Sequence, residues 1–126
     1  MTERIKLVQG DSRPQLVLSL TDEKSGGSID ISTATVRLRF REAETTTILF
    51  TLVADKIPGK VNTDGTIDFT GPYALNGKGG RCVINWTADA LDQLPGNYEG
   101  EIEITFDDTS IQTVYDVLKF KLREQF

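Results

Sequence analysis

The stretch Leu94-Pro95-Gly96-Asn97-Tyr98-Glu99-Gly100-Glu101-Ile102-Glu103-Ile104-Thr105-Phe106-Asp107-Asp108 constrains this chain more than any other. It states a turn, a one-sided strand and a second turn without a break. Tyr98, Gly100, Ile102, Ile104 and Phe106 share one parity, whereas Glu99, Glu101, Glu103 and Thr105 share the other, the period of two of a half-buried antiparallel strand. A helix would scatter both sets around its circumference. The chain therefore contains a sheet with one dry and one wet face. Fifteen threonines and eighteen isoleucines and valines extend the same preference along the whole sequence.

The remaining segments read as short strands between turn signals. Ile5 to Val8 forms a first strand, and Gln9 to Pro14 a bend. Leu16, Leu18 and Leu20 share a face ahead of the turn cluster Thr21 to Ser28, after which Ile29 and Ile31 dock. From Ala34 to Arg41 the pattern alternates cleanly, with Val36, Leu38 and Phe40 opposite Arg37, Arg39 and Arg41. Ile48 to Val53 is apolar on both parities and is expected to be central or covered. Asp64-Gly65 predicts a tight turn before Thr66 to Phe69. Gly71 to Gly80 reads as the longest loop. Arg81 to Trp86 places Cys82, Ile84 and Trp86 inward, and Thr87 is expected to cap one helical turn through Leu91. Ile111, Thr113 and Tyr115 take odd positions while Leu118, Phe120 and Leu122 take even ones, so keeping both sets inward requires a bulge or a break near Val114 to Val117.

About seven to eight strands at this spacing predict an all-β, antiparallel β-sandwich or small barrel, formed as a single domain over residues 1–126. A domain of this length has a radius of gyration of roughly 14 Å and needs no covalent staple. Cys82 is the sole cysteine, so no internal disulfide forms. A net charge of −5 argues against a nucleic-acid binder, which needs clustered cations. No apolar run follows Met1 to Lys6, and none anywhere is long enough for a leader or a membrane span.

Histidine is absent, which removes Ser-His-Asp and Cys-His nucleophile activation and imidazole metal ligation. Asp64-Gly65-Thr66-Ile67-Asp68 has fewer oxygen ligands than a calcium loop requires, and reads as a hairpin turn. Gly77-Lys78-Gly79-Gly80 lacks both the P-loop pattern and a following helix, and reads as a flexible loop. No catalytic, metal or cofactor site is expected. Trp86 shares the parity of Cys82 and Ile84 and belongs to the core. Tyr73 is the one aromatic that reads as freely exposed, and a carbohydrate-binding module would show more. Three charged rows stand out: Arg37, Arg39, Arg41; Glu99, Glu101, Glu103; and Lys119, Lys121, Arg123. Such rows either pair across strands within one subunit, at about 0.2 to 1 kcal/mol per pair, or face a neighbouring subunit. Arg37, Arg39, Arg41, Tyr73, Glu99, Glu101 and Glu103 are thus the candidate interface residues.

An ordered set of short signatures carries a resemblance: Leu7-Val8-Gln9-Gly10-Asp11, Leu16 to Asp22, Ile31-Ser32-Thr33-Ala34-Thr35-Val36-Arg37-Leu38, Trp86, Leu94 to Phe106, and Ile111-Gln112-Thr113-Val114. Together they resemble the small immunoglobulin-like domain of the upper baseplate protein family of tailed bacteriophages, over nearly the whole chain. The resemblance implies an immunoglobulin-like β-sandwich and a non-enzymatic virion protein, made in the host cytoplasm and attached to tail, baseplate or neck proteins. Its implied partners are other phage structural proteins and copies of itself in a symmetric assembly, with no nucleic acid and no membrane. Longer family members carry a C-terminal arm for receptor-binding proteins. This sequence ends at Phe126 after its last strand, which favours an adaptor or decorating subunit. Capsid decoration, a carbohydrate-binding adhesion module around Tyr73, and a small enzyme with a pocket of perturbed carboxylates are the alternatives.

Overall fold

A computed structural model describes residues 4–22, 24–87, 89–114 and 116–126. Met1 to Glu3, Glu23, Ala88 and Tyr115 entered the readings of the chain start, the first turn, the helical turn and the last strand, and lie outside the described residues. The fold is all-β and sandwich-like. Its larger sheet contains β1 (Ile5–Val8), β3 (Thr35–Glu42), β4 (Ile48–Val53), β9 (Gly96–Thr105), β10 (Ile111–Thr113) and β11 (Leu118–Arg123), in the order β1-β11-β9-β3-β4 with β10 also on β9. A second sheet, β2-β8-β5, is formed by β2 (Leu16–Ser19), β5 (Asp55–Lys56) and β8 (Arg81–Ile84). A small hairpin joins β6 (Lys60–Val61) to β7 (Ile67–Asp68).

β9, one-sided from Tyr98 onward, lies at the centre, with β3 on one side and β10 and β11 on the other. Its inward residues belong to one buried cluster with those of β3 and β11 and with Cys82 and Ile84 of β8. Phe40 occupies the middle of this core. Its ring stacks on Phe50 at 4.7 Å and on Tyr98 at 5.1 Å, tilts against Phe120 at 5.3 Å, and meets Trp86 edge-on at 5.8 Å. Gly100 makes room for this cluster, because a methyl group there would press on Leu38 and on the Phe120 ring. Trp86 is 4% exposed, and its indole N–H donates to the Pro14 carbonyl at 2.9 Å. That bond satisfies the one polar atom the ring carries inside. Trp86, Leu38, Ile104 and Phe120 are all buried, as their parities require.

Among the described residues eight strands of three or more residues form, in line with the expected seven to eight, and three two-residue pieces accompany them. Several expectations need correction. β1 pairs with β11 in parallel, Ile5 opposite Phe120 and Val8 opposite Arg123, so the larger sheet is mixed rather than wholly antiparallel. Ile48 to Val53 is not central. It is the edge strand β4, with Val53 61% and Leu49 43% exposed. Strand apolarity on both parities reports the absence of charge, and here not burial.

Asp89 to Leu91 lies in a turn, Ala90 N–H donating to the Thr87 carbonyl at 3.0 Å. A 3-10 turn that the sequence did not announce lies over Gly71–Ala74. The break between β10 and β11 falls where the parity change demands it. Its reason differs, however, because Ile111 and Thr113 face solvent.

The glycine segment is packed, not free. Gly77, Gly79 and Gly80 are buried, and the Gly79 Cα lies so close to the Gly59 carbonyl that a side chain would overlap it. The Asp64-Gly65 hairpin forms as expected: Gly65 N–H donates to Asn62 O at 3.0 Å, and Asn62 N–H to Thr66 O at 2.8 Å. Gly65 holds φ 88°, a left-handed conformation that suits glycine.

Three substitutions test this packing. Trp86→Ala is expected to cost about 3 to 5 kcal/mol in chemical denaturation, as truncation of buried aromatics does. The folded wild type should show blue-shifted, poorly quenched tryptophan emission. Gly79→Ala should lower the melting temperature, whereas Gly65→Asn, at an open left-handed turn, should shift it far less.

Candidate functional site

Strand register decides what the charged rows do. In the β3–β9 ladder Arg37 lies opposite Glu103, Arg39 opposite Glu101 and Arg41 opposite Glu99, all on the outer face of the larger sheet. On the other side of β9, Lys119 lies opposite Glu99. The face therefore runs basic, acidic, basic across three strands. Arg41 donates Nε and Nη2 to Glu99 Oε1 at 3.2 and 3.0 Å. Arg39 reaches diagonally to Glu103 at 2.8 Å, and Arg37 Nη1 diagonally to Thr105 Oγ1 at 3.3 Å. Of the two readings left open by the sequence, cross-strand pairing within one chain is realised for these residues. Among the described residues Glu101 and Lys119 enter no ion pair.

Tyr73 is not carried on that face. It sits half-buried in the 3-10 turn between β7 and β8, where its carbonyl accepts from Gly59 N–H at 2.8 Å. Lys60 Nζ lies 5.2 Å from the ring centre, a cation–π contact that occupies the ring. The structure thus joins the arginine and glutamate rows to each other and ties Tyr73 to the β5–β6 link. The freely exposed aromatic expected at Tyr73 is instead a partly covered one.

Carboxylates with displaced acidity occur in connections and at the end of β7, where a local device explains them. Asp64, Asp68 and Asp108 are held below the usual carboxylate range by hydrogen bonds from the hydroxyl and N–H of Thr66, Thr70 and Ser110. Each is an Asp-x-Ser/Thr triplet, with hydroxyl distances of 2.6, 2.6 and 2.5 Å. Asp30 repeats it with Ser32: partial burial raises its pKa, but the Ser32 bonds and the Lys78 ion pair at 3.3 Å leave it lowered. The triplet is plain in the sequence, and its signal is the acceptor–donor spacing of two. Burial pushes the Cys82 thiol up to about 11, so it is not a nucleophile at neutral pH.

One groove, about 400 Å³, lies beside the charged face between Arg4, Glu42 to Glu44, Asn97, Glu99 and Lys119, and another, about 340 Å³, between Thr21, Asp22, Lys24, Ile29 and Gln112 to Val114. None of the four lowered carboxylates lines either. Among the described residues no group of three His, Cys, Asp or Glu side chains is arranged to hold a metal, and no helix is long and apolar enough to cross a membrane. What sequence reasoning missed is the free edge of β4. The signal was present in the uncharged run Thr45 to Ala54, but edge and centre look alike when charge is absent.

Replacing Arg37, Arg39 and Arg41 by glutamate sets acids opposite acids and is expected to cost roughly 1 to 3 kcal/mol. Exchanging Glu99, Glu101 and Glu103 for arginine in the same chain should recover most of it in a melting curve. The turn carboxylates give a pH dependence. Their pKa is lower folded than unfolded, so the stability they contribute is present above about pH 4 and is lost as pH falls through the folded values. Melting temperature should therefore decline from pH 4 toward pH 2, and the Asp64→Asn, Asp68→Asn, Asp108→Asn variant should decline less.

No protein-family model matches this chain, nor does any curated protein or solved structure.

Proposed function

We propose that the protein is a non-enzymatic structural subunit of a bacteriophage virion, an adaptor or decorating domain attached to tail, baseplate or neck proteins. The observation that carries this reading is where the residues of the resemblance sit. Leu7 to Asp11 includes the end of β1, which lies beside β11; Leu16 to Asp22 supplies β2; Ile31 to Leu38 leads into β3. Leu94 to Phe106 supplies the corner and length of β9, and the Tyr98 hydroxyl donates back to the Leu94 carbonyl. These are the joints of the fold, so the shared residues are those that make this architecture.

The immunoglobulin-like form of the sandwich belongs to the same proposal. Support comes from a first strand parallel to the last, from a five-strand path facing a three-strand sheet, and from a tyrosine anchored to the turn before its strand. A face whose charges are mostly paired internally, with displaced carboxylates held by local Asp-x-Ser/Thr hydrogen bonds, favours a binding or scaffolding role over chemistry.

The test is mass spectrometry of purified, dissected particles from a host that produces this chain. The expected result is a fixed copy number in the tail or neck fraction. Recovery with heads alone would move the protein to capsid decoration, and absence from particles would end the virion reading.

A further inference from the structure

We infer that the free edge of β4 is a self-association site, through which two copies of this chain pair β4 against β4, antiparallel, about a two-fold axis. The inference stands apart from the virion reading. It begins with the edge strands of the larger sheet, β1 and the three-residue β10 on one side and β4 on the other. β1 is four residues long and presents Lys6, a charge that guards an edge against further pairing. β4, at six residues, is longer than β1, β2, β5 and β10, and lies in the ten-residue uncharged run Thr45 to Ala54.

Backbone geometry shows that this edge can pair. Ala54 N–H donates to Val36 O at 2.8 Å, and Leu38 lies opposite Leu52. By the alternation of an antiparallel ladder, the N–H and C=O groups of Thr51 and Val53 then point away from β3, toward the open side. Their side chains stand on the outer face, next to Arg39 and Arg37. Ile48, Leu49 and Val53 are 43%, 43% and 61% exposed. The register shift at Leu49 turns one end of the strand, leaving Thr51 to Val53 as the regular part.

A second copy is the occupant that fits. Self-pairing brings no charge to the seam, and it sets threonine and valine beside threonine and valine. The nearest like charges, the β3 arginines of the two copies, are three strand spacings apart, about 14 Å. That exceeds the Debye length of about 8 Å at physiological salt, and Arg39 and Arg41 are already paired with Glu103 and Glu99. One strand pair buries less than the roughly 1,200 Å² of a stable complex, so the expected dissociation constant is about 10 μM to 1 mM. Copies held side by side in a larger assembly would engage far more fully.

The experiment is sedimentation equilibrium of the full chain from about 10 μM to 1 mM, on wild type, Thr51→Lys and Val53→Lys, with a melting curve for each. Each lysine projects to solvent from an edge strand but faces one β3 arginine, Arg39 or Arg37, a mildly destabilising like-charge contact, so both variants should remain folded and melt only slightly below the wild type. Expected are a mass rising toward twice the monomer for wild type, and at least a tenfold weaker association in each folded variant. Thr51→Pro, which removes an N–H that β3 does not use, should also lose the dimer. A wild type monomeric at 1 mM overturns the inference, as does a dimer that survives both lysine variants.

Discussion

The fold depends on Phe40 sitting where four strands and both sheets can reach it. Phe50, Tyr98 and Phe120 approach it from β4, β9 and β11, and Trp86 closes from beyond β8. Aromatic pairs of this geometry add about 0.5 to 1.5 kcal/mol each beyond the area they bury. The cluster also sets register. Gly100 lies opposite Phe40 and Leu118, and is the position on β9 where the Phe120 ring finds space. Sliding β9 by one residue would drive a glutamate into that space and turn Ile102 and Ile104 out to water.

From that register the outer face follows. With Phe40 opposite Gly100, the arginines of β3 necessarily face the glutamates of β9, and charge is neutralised within the chain. The same geometry leaves β1 and β4, the two ends of the sheet's main path, unlike each other, one carrying a lysine and the other no charge. Solubility and stickiness are thus separated along one sheet, the charged rows at its centre and the apolar strand at its rim.

Much of this was legible in the residues. Strict alternation located β3 and β9 and assigned their faces, since a period of two has a single structural meaning. Trp86 was read inward from Cys82 and Ile84, and the parity change between Thr113 and Leu118 located the break. Position within a sheet was not legible, because Ile48 to Val53 has the same composition whether neighbours flank it on one side or two. Parallel pairing of β1 was likewise invisible, as it depends on strands 115 residues apart, Ile5 and Phe120. The glycine segment misled for a physical reason: glycine signals either freedom or close approach, and only the Gly59 carbonyl beside Gly79 shows which.

The parallel pairing of β1 with β11 also has a mechanical meaning. A load that draws the chain away from Ile5 at one end and from Arg123 at the other pulls these neighbouring strands along their length in opposite directions. The evenly spaced bonds between them, from Ile5–Phe120 to Val8–Arg123, then share the force at once instead of parting one at a time. Such a domain resists stretching in shear, and would keep its shape in series between moving parts.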